Sequence, residues 1–156
     1  MSGILKIIED FKKPCKCGRV HETAVRDVAA EPGAVNKVGE ILMRNSFPKD
    51  LLLVADKNTL KAAAPITDSL SGFNVSYKIY DDLRVAKMEH VEEIQGLIKG
   101  RDIAVLSVGT GSVNDVCRLA ASREDKRLCI FGTAPSMDGF ASYGAPIVKG
   151  AFKSSY

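Results

Sequence analysis

An apolar run at residues 103–106 leads through two glycines directly into a segment with helical spacing. The run is typical of a buried strand, and the segment at 113–122 repeats its apolar residues on one helix face. Gly109 and Gly111 allow the backbone to turn tightly between the two. A strand followed at once by a helix is the building unit of a parallel sheet, so this feature limits the chain to few folds.

The same alternation of strands and helices continues along the chain. Strands are predicted at 24–30 (an edge strand), 50–55, 74–80, 103–108, 128–131 and 147–148. Helices are predicted at 4–11 (stopped by Pro14), 35–42, 60–70 (interrupted at Pro65), 88–98 and 113–122. A length of 156 residues suits one domain. The predicted fold class is α/β, a Rossmann-like parallel sheet with helices on both faces.

The composition excludes several classes of protein. Apolar residues make up 46% and charged residues 26% of the chain, as in ordinary globular domains. A net charge of +3, with basic and acidic residues dispersed, indicates no nucleic-acid partner. No apolar run approaches the roughly 20 residues needed to cross a bilayer, so we expect no membrane partner and a cytoplasmic location. Four cysteines do not make a disulfide scaffold.

The glycine turn is a candidate anion site formed by Gly109, Thr110, Gly111, Ser112 and Val113. Free N–H groups of the following helix would point at a phosphate there. The turn lacks the third glycine of a dinucleotide fingerprint and the Lys-Ser/Thr pair of a P-loop, so a plain strand-to-helix turn is the alternative. Ser112 and Asp115 could also form a capping box, which makes Asp115 a poor candidate for catalysis.

Asp56 follows the apolar strand at 50–55. An acid at the carboxyl end of such a strand can accept hydrogen bonds from the ribose hydroxyls of a dinucleotide. Asp56 can equally cap a helix that begins at Lys57. The sequence pattern leaves both interpretations open.

Small and hydroxylated residues follow the strand at 128–131. They are Thr133, Ala134, Pro135, Ser136 and, further on, Ser142. Such a loop can offer hydroxyl and backbone hydrogen bonds to a ligand. Asp138 is its only acid and is the natural partner for a substrate hydroxyl. Alternatively, Pro135 and Gly139 would serve in an ordinary turn.

Cys15, Cys17 and His21 lie close together near the N-terminus. Thiolates and an imidazole are good zinc ligands, but a structural zinc normally takes four, and no second pair accompanies these three. We therefore favour a turn centred on Gly18 between two short strands over a metal site. His90, which stands among glutamates, is predicted to be a solvated helix residue.

The motifs together resemble one family. In order they are Glu31-Pro32-Gly33-Ala34, Asp56, the segment from Gly109 to Asp115, and the segment from Thr133 to Ser142. The chain resembles the sn-glycerol-1-phosphate dehydrogenase family, in particular its bacterial branch, within the glycerol dehydrogenase, iron-containing alcohol dehydrogenase and dehydroquinate synthase-like group. The start at Cys15-Lys16-Cys17-Gly18 is also similar to that branch.

The resemblance implies that residues 1–156 form an N-terminal nucleotide-binding domain, followed by a helical metal-binding domain. It implies hydride transfer between NAD(P)H and dihydroxyacetone phosphate, giving glycerol 1-phosphate for phospholipid biosynthesis. The glycine turn would hold the pyrophosphate, the segment from Thr133 to Ser136 with Ser142 would contact NAD, and Asp138 would contact the substrate. Asp56 would meet the adenosine ribose and favour NAD over NADP, because a 2′-phosphate would meet like charge.

The family also binds a divalent metal, zinc or nickel, through an aspartate and two histidines of the helical domain. This sequence ends at Tyr156 before any matching position, and neither His21 nor Asp138 matches. We therefore expect residues 1–156, whether a shortened form or a natural product, to bind nucleotide without dehydrogenase activity. The apolar surface that the helical domain would cover could permit self-association. The alternatives are a polyol or glycerol dehydrogenase domain, a dehydroquinate synthase-like cyclase, and a non-catalytic nucleotide-binding module.

Overall fold

The computed structural model describes residues 6–7, 9–10, 13–21, 23–134, 139 and 142–156. These residues form two sheets. The main sheet is parallel and has four strands. They are β1 (Asp50–Asp56), β2 (Asn74–Tyr80), β3 (Ala104–Gly109) and β4 (Leu128–Gly132). A separate antiparallel hairpin pairs β5 (Pro146–Lys149) with β6 (Phe152–Ser155).

Helices connect and cover the strands of the main sheet. A 3₁₀ turn at Ala34–Lys37 leads into the first of them. The helices are α1 (Val38–Arg44), α2 (Lys57–Ala62), α3 (Ile66–Ser69), α4 (Met88–Ile98) and α5 (Gly111–Arg123). Pro65 separates α2 from α3, as the sequence predicts, because proline is excluded from a helix interior. Over the described ranges, no helix is long and apolar enough to cross a membrane.

Two apolar cores lie on opposite faces of the main sheet. Because side chains alternate along a strand, Leu52 and Val54 of β1 enter one core, whereas Leu51 and Leu53 enter the other. Helices α4 and α5 contribute to the first core, and α1 and α3 to the second. All of β3 is buried, as expected for a central parallel strand. The predicted fold class, a parallel α/β sheet covered on both faces, is confirmed.

The strand order is β2-β1-β3-β4. After β1 the chain crosses to β2 on one side, and β3 then returns to the other side of β1. The register places Ala55 of β1 between Ile79 of β2 and Val108 of β3. The carboxyl ends of β1 and β3 therefore lie side by side where their connections diverge.

The structure corrects the sequence predictions for the N-terminal segment. The edge strand predicted at 24–30 is wrong, since none of these residues is in a strand. Asp27 instead accepts hydrogen bonds from the side chains of Arg44 and Asn45, so side chains at the end of α1 hold this segment. Residues 13–21 contain the predicted turn, with Gly18 at a φ of 74°, but no flanking strand. The helix predicted at 4–11 falls partly outside the described residues.

Two further predictions need correction. The short strand at 147–148 exists as β5, but it pairs with β6 in the hairpin instead of joining the parallel sheet. His90 lies on α4 as predicted, yet it is only partly exposed, because its ring meets Tyr80 edge-on at 5.2 Å. Its Nδ1 accepts a hydrogen bond from the backbone N–H of Lys87, and burial lowers the pKa of the imidazole.

Candidate functional site

The carboxyl edge of the main sheet brings several predicted site residues together. Open α/β sheets bind ligands outside the carboxyl ends of their strands, at the point where neighbouring connections run to opposite sides. That point lies between β1, which ends at Asp56, and β3, which ends at Gly109. Gly109 also pairs with Gly132 at the end of β4. We call Asp56, residues 109–113 and Thr133 the carboxyl edge.

Asp56 is the N-cap of α2. Its Oδ1 accepts hydrogen bonds from the backbone N–H groups of Asn58 and Thr59, each at 2.9 Å. Thr59 in turn donates its hydroxyl to the carbonyl of Val108, which ties the start of α2 to β3. The capping interpretation of Asp56 is confirmed. Its ribose role stays a prediction for a side chain that is only 5% exposed.

Gly109 and Gly111 have different surroundings although only one residue separates them. A Cβ built at Gly109 would lie 2.7 Å from the Cβ of Val113, which is closer than real side chains approach. Gly109 is therefore required by the packing of β3 against α5. A Cβ at Gly111 would meet none of the described atoms within 4 Å. Gly111 thus leaves space for a ligand to approach the main chain.

The first turn of α5 presents main-chain N–H groups at this edge. Thr110 is the N-cap, and its side chain makes no capping hydrogen bond. The capping box predicted for Ser112 and Asp115 is wrong, because α5 begins at Gly111 and the Ser112 hydroxyl donates to the carbonyl of Arg84 at 2.7 Å. The first N–H groups of a helix have no intrahelical acceptor, and the helix dipole favours an anion there.

Two polar side chains follow within α5. Asn114 is fully buried, and in the part of the chain that the structure describes its side-chain amide has no hydrogen-bond partner. Sequence reasoning missed this residue, although an amide among apolar positions is a readable signal. Asp115 is half-buried, and burial raises the pKa of its carboxyl, against the opposing effect of Arg118 and Lys153. It belongs to the helix interior and not to its cap.

The loop after β4 reaches the carboxyl edge at its beginning. The backbone N–H of Thr133 donates to the carbonyl of Gly109 at 3.2 Å. Ala134 follows directly, whereas Pro135, Ser136 and Asp138 lie outside the described residues. Ser142 sits further along, where its hydroxyl oxygen accepts a hydrogen bond from the N–H of Gly144.

Arg118 is a second residue that sequence reasoning missed. Its guanidinium projects from α5 and donates to the carbonyl of Gly139 and, at 3.0 Å, to that of Gly144. These bonds fasten the loop after β4 onto the helix that carries the glycine turn. The sequence signal was a basic residue three positions after Asp115, but the acceptors are backbone atoms that no side-chain pattern reveals.

A cavity of about 660 Å³ lies beside β4. It is lined by residues of the N-terminal segment and of β4, and also by Arg118, Ser142 and Tyr143. Neither Asp56 nor the glycine turn lines it. We assign the candidate ligand site to the carboxyl edge, because α/β sheets bind ligands at the strand ends and not along an edge strand.

Cys15, Cys17 and His21 converge on an exposed turn. Their ligand atoms all lie within 4.8 Å of one another, and no other such group of three or more occurs within the described ranges. The Sγ of Cys17 is 3.1 Å from Nε2 of His21. Hydrogen bonds from Cys17, first of all from its backbone N–H, lower the pKa of the Cys15 thiol to about 7.

The strand order β2-β1-β3-β4 defines a doubly wound α/β domain, a class that binds ligands at the carboxyl edge where the connections diverge. The chain belongs to the iron-containing alcohol dehydrogenase family, whose model matches residues 29–156. It is 29% identical over its whole length to the NAD(P)+ glycerol-1-phosphate dehydrogenase of Halalkalibacterium halodurans, and covers 41% of that protein. It is 33% identical, over 80% of its length, to the enzyme of the same name from Methanothermobacter thermautotrophicus, of which it covers 36%.

Solved structures share the fold. A probable glycerol dehydrogenase from Sinorhizobium meliloti 1021 matches with a TM-score of 0.66 at 16% identity, over 80% of this chain and 34% of that one. A 2-deoxy-scyllo-inosose synthase, solved with carbaglucose-6-phosphate, NAD+ and Co²⁺, matches with a TM-score of 0.58 at 16% identity, over 80% and 37%. The chain therefore spans about two fifths of its relatives or less.

Proposed function

We propose that this chain is the nucleotide-binding part of an NAD(P)-dependent sn-glycerol-1-phosphate dehydrogenase, which transfers hydride between NAD(P)H and dihydroxyacetone phosphate. Its relatives are dehydrogenases, which supports an oxidoreductase. One observation carries the nucleotide part of the proposal. The first turn of α5 has no side-chain cap and lies beside the open space at Gly111, on the carboxyl edge between β1 and β3.

The glycine turn would bind the pyrophosphate through its main chain. The N–H groups of Gly111, Ser112 and Val113 provide the donors, and Gly111 lets the phosphates approach them. Thr110, the N-cap, would add a hydroxyl beside the same anion. Gly109 would act indirectly, by allowing β3 to pack closely on α5.

The loop after β4 would continue the cofactor site. Thr133 and Ala134 begin it at the carboxyl edge, and we assign Pro135, Ser136 and Ser142 to the same NAD contacts. Asp138 would contact the substrate hydroxyl. Arg118 supports this arrangement by holding the loop to α5 at Gly139 and Gly144.

Asp56 would combine two roles in this proposal. Its Oδ1 caps α2, which leaves Oδ2 for the adenosine ribose. Its negative charge would disfavour the 2′-phosphate of NADP, so we propose a preference for NAD.

The chemistry divides between the cofactor and the chain. When bound, the cofactor gives or accepts the hydride, while the residues of the carboxyl edge bind and orient its phosphates. The resemblance also implies a metal held by an aspartate and two histidines. The described residues do not fit that ligand set, because the cluster of Cys15, Cys17 and His21 is built from thiols and one imidazole on an exposed turn. No metal-dependent step is therefore assigned to them, and we propose that residues 1–156 bind nucleotide without turnover.

Titration with NADH tests the nucleotide site. Gly111→Val adds a side chain at the first turn of α5, at a position where a Cβ meets no described atom within 4 Å. Gly96→Val is the matched control, because Gly96 is exposed on α4 and a Cβ there also meets no described atom. We expect Gly111→Val to weaken NADH binding more than tenfold, which is more than about 1.4 kcal/mol, at an unchanged Tm. Equal binding by both variants would refute the assignment.

Activity measurements test the reaction. Residues 1–156 should not oxidise NADH with dihydroxyacetone phosphate, whereas a fusion to the part of the Halalkalibacterium halodurans relative that this chain does not cover should. Turnover by residues 1–156 alone contradicts the proposed inactivity. Activity of the fusion on unphosphorylated glycerol only would indicate a polyol dehydrogenase instead. NADH binding with no activity in the fusion would indicate a non-catalytic nucleotide-binding module.

A further inference from the structure

The turn at residues 15–21, which we call the cysteine turn, gathers two thiols and an imidazole outside the carboxyl edge. The ligand atoms of Cys15, Cys17 and His21 lie within 4.8 Å of one another. Cys15 and Cys17 are exposed and His21 is partly exposed, so an ion can reach the thiols directly from solvent. Nothing in the proposed dehydrogenase chemistry uses these side chains.

The separation between Cys17 and His21 is close to that which a tetrahedral ion requires. With zinc–sulfur and zinc–nitrogen bonds of about 2.3 and 2.0–2.1 Å, two ligand sulfurs lie about 3.8 Å apart, and a sulfur and a nitrogen about 3.5 Å apart. The Sγ of Cys17 and Nε2 of His21 are 3.1 Å apart. An entering ion therefore needs this pair to separate by only a few tenths of an ångström, within the range of side-chain rotation.

The backbone of the cysteine turn already orients the ligands. The N–H of Gly18 donates to the carbonyl of Cys15 at 3.0 Å, which closes the turn. Gly18 takes a φ of 74°, a conformation that glycine adopts without strain. The N–H of Cys17 points at the Sγ of Cys15, 3.5 Å away. A main-chain donor to a ligand sulfur is an interaction that tunes and orients metal-bound thiolates.

We propose that Cys15, Cys17 and His21 bind one zinc ion, with the fourth tetrahedral position left to water. This ligand set of two soft sulfurs and one imidazole suits zinc, whereas magnesium and calcium prefer oxygen ligands. On binding, the zinc ion takes two thiolates and the neutral imidazole, and the thiol protons pass to water. The sequence supplies only three of the four protein ligands of a structural zinc site, but a site with three protein ligands and one water is also a known zinc arrangement.

The other two cysteines do not compete for the ion. Cys117 lies in the core between α5 and the sheet, and Cys129 lies on β4. Cys117 is fully buried, and burial raises the pKa of its thiol to about 12; Cys129 is partly buried, and burial raises the pKa of its thiol as well, so neither thiol favours the thiolate form at neutral pH. The chain therefore carries its own internal controls for a thiol-dependent metal site.

Zinc stoichiometry on the reduced chain tests the proposal. Dialysis against Zn²⁺ followed by elemental analysis should give one zinc per chain. Cys15→Ser, Cys17→Ser and His21→Gln should each weaken binding by more than about 100-fold, since changes behind metal ligands already cost about 10- to 100-fold. Cys129→Ala and His90→Gln, the matched controls, should retain the ion.

Cobalt substitution gives a second readout that does not depend on stability. Co²⁺ at the cysteine turn should produce a sulfur-to-cobalt charge-transfer absorption, which Cys17→Ser should reduce and Cys129→Ala should leave unchanged. The proposal is overturned if zinc stays below one equivalent in the reduced chain, or if the ligand variants and the control variants bind zinc equally. Cobalt binding without the charge-transfer absorption also overturns it, because the thiolates would then not be ligands.

Discussion

The carboxyl edge and the cysteine turn are two candidate sites built in opposite ways. The carboxyl edge offers mainly backbone N–H groups at the start of α5, which rest on buried strands and on the two apolar cores. The cysteine turn offers three side chains on an exposed loop. Substitutions at the carboxyl edge should therefore affect ligand binding by changing the space beside the main chain. Substitutions at the cysteine turn should affect metal binding by removing a ligand side chain.

The two sites also differ in their coupling to the fold. At the carboxyl edge, Thr59 and Thr133 bond to carbonyls of β3, so a ligand there contacts elements that unfold with the whole domain. The cysteine turn belongs to a segment without strands, held to α1 through Asp27. We expect changes at the packed positions of the edge, such as Gly109, to alter global stability, and changes at the cysteine turn to act locally.

The largest expected effect is a difference in stability between alanine substitutions at Gly109 and at Gly111. Gly109→Ala should lower the free energy of unfolding by about 1 to 3 kcal/mol, because its Cβ would overlap Val113 in a packed core. Gly111→Ala should change it by no more than about 0.5 kcal/mol, since the new methyl group meets open space. Urea denaturation measures both values. Similar losses of unfolding free energy at the two positions would contradict a packing role for Gly109 that Gly111 does not share.

A second effect concerns the loop after β4. Arg118→Met should cost about 1.5 kcal/mol and speed hydrogen exchange at residues 142–145, because two carbonyls lose a charged donor. Arg123→Met is the control on the same helix, where the guanidinium is exposed and contacts side chains only. Equal hydrogen-exchange rates at residues 142–145 in the two variants would contradict the proposal that Arg118 holds this loop against α5.

Two substitutions separate the capping role of Asp56 from its proposed contact with the cofactor. Asp56→Ala should cost about 1 kcal/mol, because α2 loses its N-cap. Asp56→Asn keeps an acceptor for the cap and removes the charge, so it should retain most of the stability while reducing the preference for NAD over NADP. Paired titrations with the two cofactors measure this preference. An unchanged preference would leave Asp56 as a cap alone.

The smallest effect tests how the N-terminal segment is held. Hydrogen bonds from Arg44 lower the pKa of the Asp27 carboxyl below its usual 3.8. A lowered pKa adds stability above about pH 4, and this stability disappears as the pH falls through the folded-state pKa. Asp27→Asn should therefore cost about 0.5 kcal/mol at pH 7 and a smaller amount near pH 3. Denaturation at both pH values measures the difference, and a pH-independent cost would indicate lost packing instead.

Glu31→Gln is a control for this ion pair. Glu31 pairs with Lys37, and both side chains are about half exposed, so this substitution should lower stability by less than Asp27→Asn.

Much of the sheet was predictable because its central strands leave little choice. The apolar runs of β1 and β3 fit only strands buried on both faces, and Pro65 must interrupt a helix. The segment at 24–30 was predicted wrongly because its local pattern suits an edge strand, whereas its actual partners are side chains of Arg44 and Asn45. A local pattern cannot show whether a sheet edge is free to receive a strand.

The candidate site was only partly predictable for a similar reason. Placement of Asp56 and the glycine turn at one edge follows from the parallel fold, which the sequence predicts well. The partner of Ser112 is the carbonyl of Arg84, 28 residues earlier in the chain, and the acceptors of Arg118 are also carbonyls. Backbone acceptors carry no sequence signal, so these contacts required the structure.

One titration of the uniformly ¹⁵N-labelled chain tests the central claim, that the carboxyl edge binds a dinucleotide through the first turn of α5. Addition of NAD+ should shift the backbone amide resonances of Gly111, Ser112, Val113 and Thr133, and leave those of the cysteine turn in place. Addition of Zn²⁺ to the same sample should do the reverse. Saturable NAD+ shifts centred on the cavity beside β4, or no shifts at residues 111–113, would contradict the account.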